Sequence, residues 1–171
     1  MTAASDFLGA SRRYLTDEYP RKIERAVAGM SEADLWWRPN EVSNSVGNLL
    51  LHLAGNVRQW VVHGLGGRPD VRRRAEEFAR DGGVSAAEAL AVLRSATDDA
   101  DAVLAGMDPA RLEAELEIQG LPVRGLDALY HVVEHFSMHT GQILYLAKMR
   151  SGTDLGFYVV DDEGKVVDTR W

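Results

Sequence analysis

The sequence predicts an all-α protein, a four-helix bundle with short β-like excursions between the third and fourth helices and at the C-terminus. Two observations carry this reading. Four stretches place apolar residues at three- and four-residue spacing, and each is bounded by capping or breaking residues. The 171 residues are the length of one domain with its own core, so a single unit over residues 1–171 is expected.

The first helix spans roughly residues 5–28, with Phe7, Tyr14, Leu15, Ile23 and Val27 on its apolar side. Pro20 inside it predicts a kink. Gly29 ends it, Ser31 caps a short turn, and Trp36 and Trp37 lead into Arg38-Pro39, where extended backbone is favoured. The second helix starts at Ser43 or Ser45 and runs to about Gly64 with the stripe Val46, Leu49, Leu50, Leu53, Val57, Trp60 and Val61. Residues 68–83 form a charged connection holding a helical turn near Phe78. A third helix, capped by Ser85, covers about 86–106, with Leu90, Leu93, Thr97, Ala100 and Leu104 inward. Between 108 and 125, alternation at Leu112, Ala114, Leu116 and Ile118 predicts a short strand pair or an irregular excursion rather than helix. The fourth helix covers about 126–150 with the stripe Leu129, Val133, Phe136, Ile143 and Ala147, and the tail GFYVVDDEGKVVDTRW reads as two short β segments.

Composition narrows the function. A net charge of −7 argues against general nucleic-acid binding, which needs a basic face. The one dense basic run, Arg72, Arg73 and Arg74, is followed by Glu76 and Glu77 and reads as solvated surface, with anion recognition as the alternative. With no cysteine, any transition-metal site must use nitrogen and oxygen ligands. The N-terminus lacks the pattern of a secretory signal, and no apolar run reaches the roughly 18 residues of a membrane span. A cytoplasmic protein without membrane or nucleic-acid partners is expected.

Five histidines carry the chemical signal. His131, His135 and His139 recur every fourth residue, a step of about 40° around a helix and about 6 Å along it, and so form one stripe. Projection places His139 about 80°, His135 about 120° and His131 about 160° from the centre of the apolar stripe. The first two flank the core and the third lies nearer the outside. His131 and His139 stand about 12 Å apart along the axis, too far for one ion, so His135 and His139 are the better pair. In the second helix Asn56 and His52 border the core, while His63 lies about 16 Å beyond His52. A lone histidine there is ordinarily a hydrogen-bonded rim residue. A pair at i, i+4 gives ligation equal standing, and His52 joins only if the two helices touch at that depth. Glu-x-x-His pairs, His-Glu-x-x-His, glycine-rich dinucleotide loops and phosphate loops are absent. Ser137 projects away from His139 and is no nucleophile, and Glu134 lies on the outer side, so no catalytic residue is assigned.

The segments LLLHLAGNVRQW and HVVEHFSMHTGQILYL resemble the DinB-like superfamily of metal-binding four-helix bundles, and HLAGNVRQW followed by RRRAEEF looks like a bacterial branch of unknown function. The resemblance covers about residues 7–150 and is most specific at His135, His139, Gly141 and Gln142. It implies a divalent ion held by His52, His135 and His139, with Asn56, His131 and Gln142 lining or supporting the pocket. Zinc or nickel, then iron or manganese, are the implied ions. Better-understood relatives use low-molecular-weight thiols, so the resemblance also implies a thiol cofactor and a homodimer; Trp36, Trp37 and Trp171 read either as exposed contacts for it or, with at least equal standing, as caps over the bundle end. The expected function is a divalent-metal-dependent thiol S-transferase or hydrolase acting on a small molecule. The alternative is a non-catalytic, metal-binding or stress-associated bundle, and a metal-free bundle is third.

Overall fold

The computed structural model describes residues 2–170. Four helical rods make the bundle. The first is α1 (Ala3–Arg13), a π-helical turn (Tyr14–Glu18) and α2 (Tyr19–Val27) in continuous succession. The widened turn lies immediately before Pro20. Proline donates no amide hydrogen and its ring crowds the preceding turn, so the expected kink is absorbed as a bulge rather than a break. After α3 (Glu32–Leu35) comes α4 (Val46–Val57), which continues as a π-helical segment, Arg58–Leu65. Ser45 and Asn48 form a reciprocal capping box at its start.

A short helix, α5 (Arg74–Ala79), interrupts the charged connection, and α6 (Ala86–Ala105) follows from a second capping box of Ser85 and Glu88. A 3₁₀ turn (Pro109–Glu113) leads into β1 (Glu115–Ile118) and β2 (Leu121–Arg124), an antiparallel pair with Glu115 opposite Arg124. Gln119 and Gly120, at φ 58° and 74°, supply the two left-handed residues that a tight hairpin requires. The rod α7 (Gly125–Ser151) ends at Gly152, whose φ of 65° closes the helix. The tail pairs β3 (Tyr158–Val160) with β4 (Val166–Thr169).

The rods close a ring: α2 packs on α7, α7 on α4, α4 on α6, and α6 on α1. Leu15, Ile23, Leu50, Leu53, Leu93, Leu129, Phe136 and Ile143 fill the interior. Two predicted placements change. Leu90 and Val133 lie at the margin of the core, and Ala89, Ala96, Val132 and Leu146 take the buried positions, because each rod touches two neighbours and its buried sector drifts along its length. Trp36 is not an exposed contact. It is buried against Gly47 and donates its indole N–H to the Val84 carbonyl at 2.9 Å. Trp37 lies under the Arg150 guanidinium, 4.9 Å from ring centre to carbon, and Trp171 falls outside the described residues. Among the described residues no helix is long and apolar enough to cross a membrane.

Candidate metal centre

The contact between α4 and α7 occurs at the depth of the histidines. One ring nitrogen each from His52, His135 and His139 lies within 4.8 Å of the others. The Nε2 atom of His135 stands 3.1 Å from Nε2 of His52 and 3.1 Å from Nε2 of His139. Ligands about 2.05 Å from a tetrahedral ion lie about 3.3 Å apart, so His135 already stands at nearly that spacing from each of the other two.

The outward nitrogens explain why the inward ones are bare. His52 Nδ1 lies 2.9 Å from Oε2 of Glu77 and 3.0 Å from Arg72 Nη2, and His139 Nδ1 lies 2.7 Å from the Gln142 side-chain oxygen; an ionised carboxylate and an amide oxygen only accept, which assigns the ring hydrogen to Nδ1 in both. A neutral imidazole has one N–H, so both rings turn Nε2 lone pairs toward His135. His135 can donate to only one of them. Its own Nδ1 is buried without a partner among the described residues. A cation among the three Nε2 atoms satisfies every lone pair at once, and the donor set, all nitrogen, suits a borderline divalent ion.

Protonation favours the same state. Burial, then the neighbouring His139, His52 and His131 rings and the Arg72 charge, push His135 from 6.5 down to about 3. His139 and His131 are also lowered, chiefly by burial. Unfolded histidine binds protons near 6.5, whereas folded His135 resists protonation well below that and His139 and His131 are shifted in the same direction. The stability of the metal-free chain is therefore fully present above about pH 6.5 and is lost as pH falls toward His135's folded value. Urea midpoints in chelator should decline between about pH 7 and pH 5, and His135→Ala should flatten the decline. A midpoint independent of pH in that window contradicts this protonation pattern.

Sequence reasoning missed the second layer. Glu77, on α5, is buried, and its carboxylate spans His52 and Arg72. Arg72 donates Nε to Oε1 and Nη2 to Oε2, both at 2.8 Å, and Nη1 to the Gln59 oxygen at 2.9 Å. Burial pushes the Glu77 carboxyl up, but the hydrogen bonds from Arg72 and His52 outweigh it and hold the group below its usual range. Arg72 is thus no solvated surface charge: its side chain is 3 % exposed, because a bidentate carboxylate and an amide saturate the guanidinium. Arg73 and Arg74 do face water.

The segment carrying Glu77 is tied down by backbone carbonyls. Asn48 Nδ2 donates to those of Glu77 and Arg80, and Arg38 Nη2 donates to those of Phe78 and Arg80. The Phe78 ring lies 4.7 Å from that of His52. One available signal was Phe78 itself, a lone aromatic in a charged stretch, which marks a docked turn. A Cβ on Gly55 would overlap Oε1 of Glu77 and come within 3.0 Å of Arg72 Nε. Gly55→Ala should push the carboxylate off His52 and weaken zinc binding about tenfold in competition with a chromophoric chelator. Unchanged affinity would show that Glu77 does not orient the ligand.

The remaining candidates divide. Asn56 is buried, with Nδ2 3.4 Å from His131 Nε2 and Oδ1 without a partner among the described residues. His131 does not lie outside. It is half-buried, 4.3 Å from the Trp60 ring and 5.3 Å from that of His135, because Trp60 reaches across from the second rod. His63 bonds the Arg68 carbonyl at 2.6 Å and takes no part.

Fold and site together define a four-helix bundle with a three-histidine cluster between its second and last rods. The DinB superfamily profile matches residues 15–143, and the chain belongs to that superfamily. None of the curated proteins matches it. Among solved structures it is similar to a conserved protein from Enterococcus faecalis (17 % identity, TM-score 0.73), covering 90 % of this chain and 99 % of that one. It is also similar to a DinB-like protein from Bacillus cereus ATCC 10987 (15 %, TM-score 0.67, covering 86 % and 93 %). A DinB-like protein from Bacillus subtilis is 19 % identical with a TM-score of 0.59, covering 90 % of this chain and 95 % of that one. At these identities the likeness concerns the fold.

Proposed function

We propose that this chain is a divalent-metal-dependent enzyme acting on a small molecule, as a thiol-dependent S-transferase or a hydrolase. His52, His135 and His139 are the ligands. The observation that carries the reading is the convergence of three histidine Nε2 atoms, backed by Glu77 and Gln142. An ion with three protein ligands supplies an open position where a water or thiol loses its proton near neutral pH.

This chain's residues hold that position. Glu77 fixes the tautomer of His52, Gln142 fixes that of His139, and Arg72 keeps Glu77 ionised. His135 is the least buried ligand, which places the accessible side of the site at its ring, next to His131 and Trp60. Asn56 Oδ1, buried and unpaired, is an acceptor for a substrate or thiol N–H there. Zinc and nickel are the leading ions, with iron and manganese next. A homodimer is the assembly carried over from the superfamily resemblance.

One observation favours a second reading, a metal that only joins two rods. Glu77, the carboxylate on the cluster, is already committed to Arg72 and His52 and is no free general base. Assay of the metal-loaded chain against small electrophiles, with and without low-molecular-weight thiols, separates the two. Turnover lost on chelation supports the enzyme. A chelator-induced drop in melting temperature with no turnover across the panel supports the structural metal.

A further inference from the structure

We infer that the cleft between α4, α6 and the connection before α5 is a second binding site, for a small amphipathic anion: a carboxylate on an apolar body. It does not depend on the metal reading, because none of the three histidines lines this cleft. Arg72 and Glu77 stand in the wall between cleft and cluster.

The cleft has a volume of about 650 Å³, inside the roughly 300–1,000 Å³ range of small-ligand sites. Leu51, Ala54, Val62, Val84 and Val92 make its walls largely apolar. At the mouth Val71 is 78 % exposed. An apolar body removes this surface from water.

Charge decides the other end of the ligand. Five arginines border the cleft, and three are engaged with carboxylates: Arg72 with Glu77, Arg68 with Asp99, and Arg73 with Glu76. Asp70 accepts from Gln59 Nε2 and from the Arg72 amide. That leaves Arg58 and Arg80, neither of which has an ion pair among the described residues; the Arg58 guanidinium donates to the Ser95 hydroxyl at 3.1 Å. Both guanidinium groups border the apolar surface without a carboxylate partner, and together they select one ligand chemistry. The lining carboxylates Asp70, Glu76, Glu77 and Asp99 are already engaged by Gln59, Arg73, Arg72 and Arg68, so an amine finds no free counter-charge, and an uncharged apolar molecule leaves both guanidinium groups unpaired. A carboxylate with a hydrocarbon body satisfies both requirements, its charge strengthened by the apolar walls.

Isothermal titration of the full chain with decanoate, below its micellar concentration, tests this against decanol and decylamine. Decanoate should bind once per chain, about tenfold or more tighter than either comparison ligand. The double substitution Arg58→Gln with Arg80→Gln should weaken decanoate about tenfold, while Arg13→Gln, outside the cleft, changes nothing. Unaltered melting of both variants keeps folding out of the comparison. Equal binding of decanol, decanoate affinity indifferent to the double substitution, or adsorption to phosphatidylglycerol vesicles without binding of monomeric decanoate would each overturn the site.

Discussion

His135→Ala should reduce bound divalent metal from about one equivalent per chain to nearly none, with more than a hundredfold loss of affinity. His135 is the hub of the cluster, since its Nε2 atom lies 3.1 Å from each of the other two. Without it His52 and His139 offer two nitrogens, too few for the three-ligand site. The fold should survive, because His135 is only half-buried, accepts no hydrogen bond that the bundle needs, and alanine suits a helix interior. Circular dichroism and elemental analysis on the same sample check both halves. Retained stoichiometric metal would remove these ligands from the account.

Glu77→Ala should have the second largest effect, and on two quantities. It removes the acceptor that orients His52, which should weaken zinc binding about 10- to 100-fold. It also strands the Arg72 guanidinium in a site where its side chain is 3 % exposed, which should cost about 3–5 kcal/mol of stability in chelator. The roles separate in the joint variant Arg72→Leu with Glu77→Leu, since replacing both members of a buried ion pair with apolar groups is often neutral or better. That variant should recover most of the urea midpoint and none of the metal affinity. Recovery of both would mean that Glu77 acts only through packing.

Much of this molecule was legible in the sequence because local rules coincide with the tertiary answer. Ser45, one of two predicted starts, and Ser85 begin the second and third rods, and the alternation at Leu112, Ala114, Leu116 and Ile118 marks the region of the hairpin. The i, i+4 spacing of His135 and His139 and the core-flanking position of His52 could be projected from the helix period alone. What escaped depended on contacts between distant segments. Arg72 reads as surface because its neighbours are charged, and only the docking of α5 on α4 through Asn48 turns it inward. His131 projects outward on an isolated helix, but Trp60 from another rod covers it. Trp36, next to a proline-bearing loop, gave no sign that Gly47 leaves room for its ring at the start of α4.

The most direct test is X-ray absorption fine structure at the metal edge of the zinc-loaded chain. Three imidazole nitrogens about 2.0–2.1 Å from the ion plus one solvent-oxygen or thiol-sulfur ligand are expected, and His52→Ala should lose the bound zinc as His135→Ala does. A first shell built mainly of carboxylate oxygen, or zinc retained with an imidazole count unchanged by that substitution, would contradict the account.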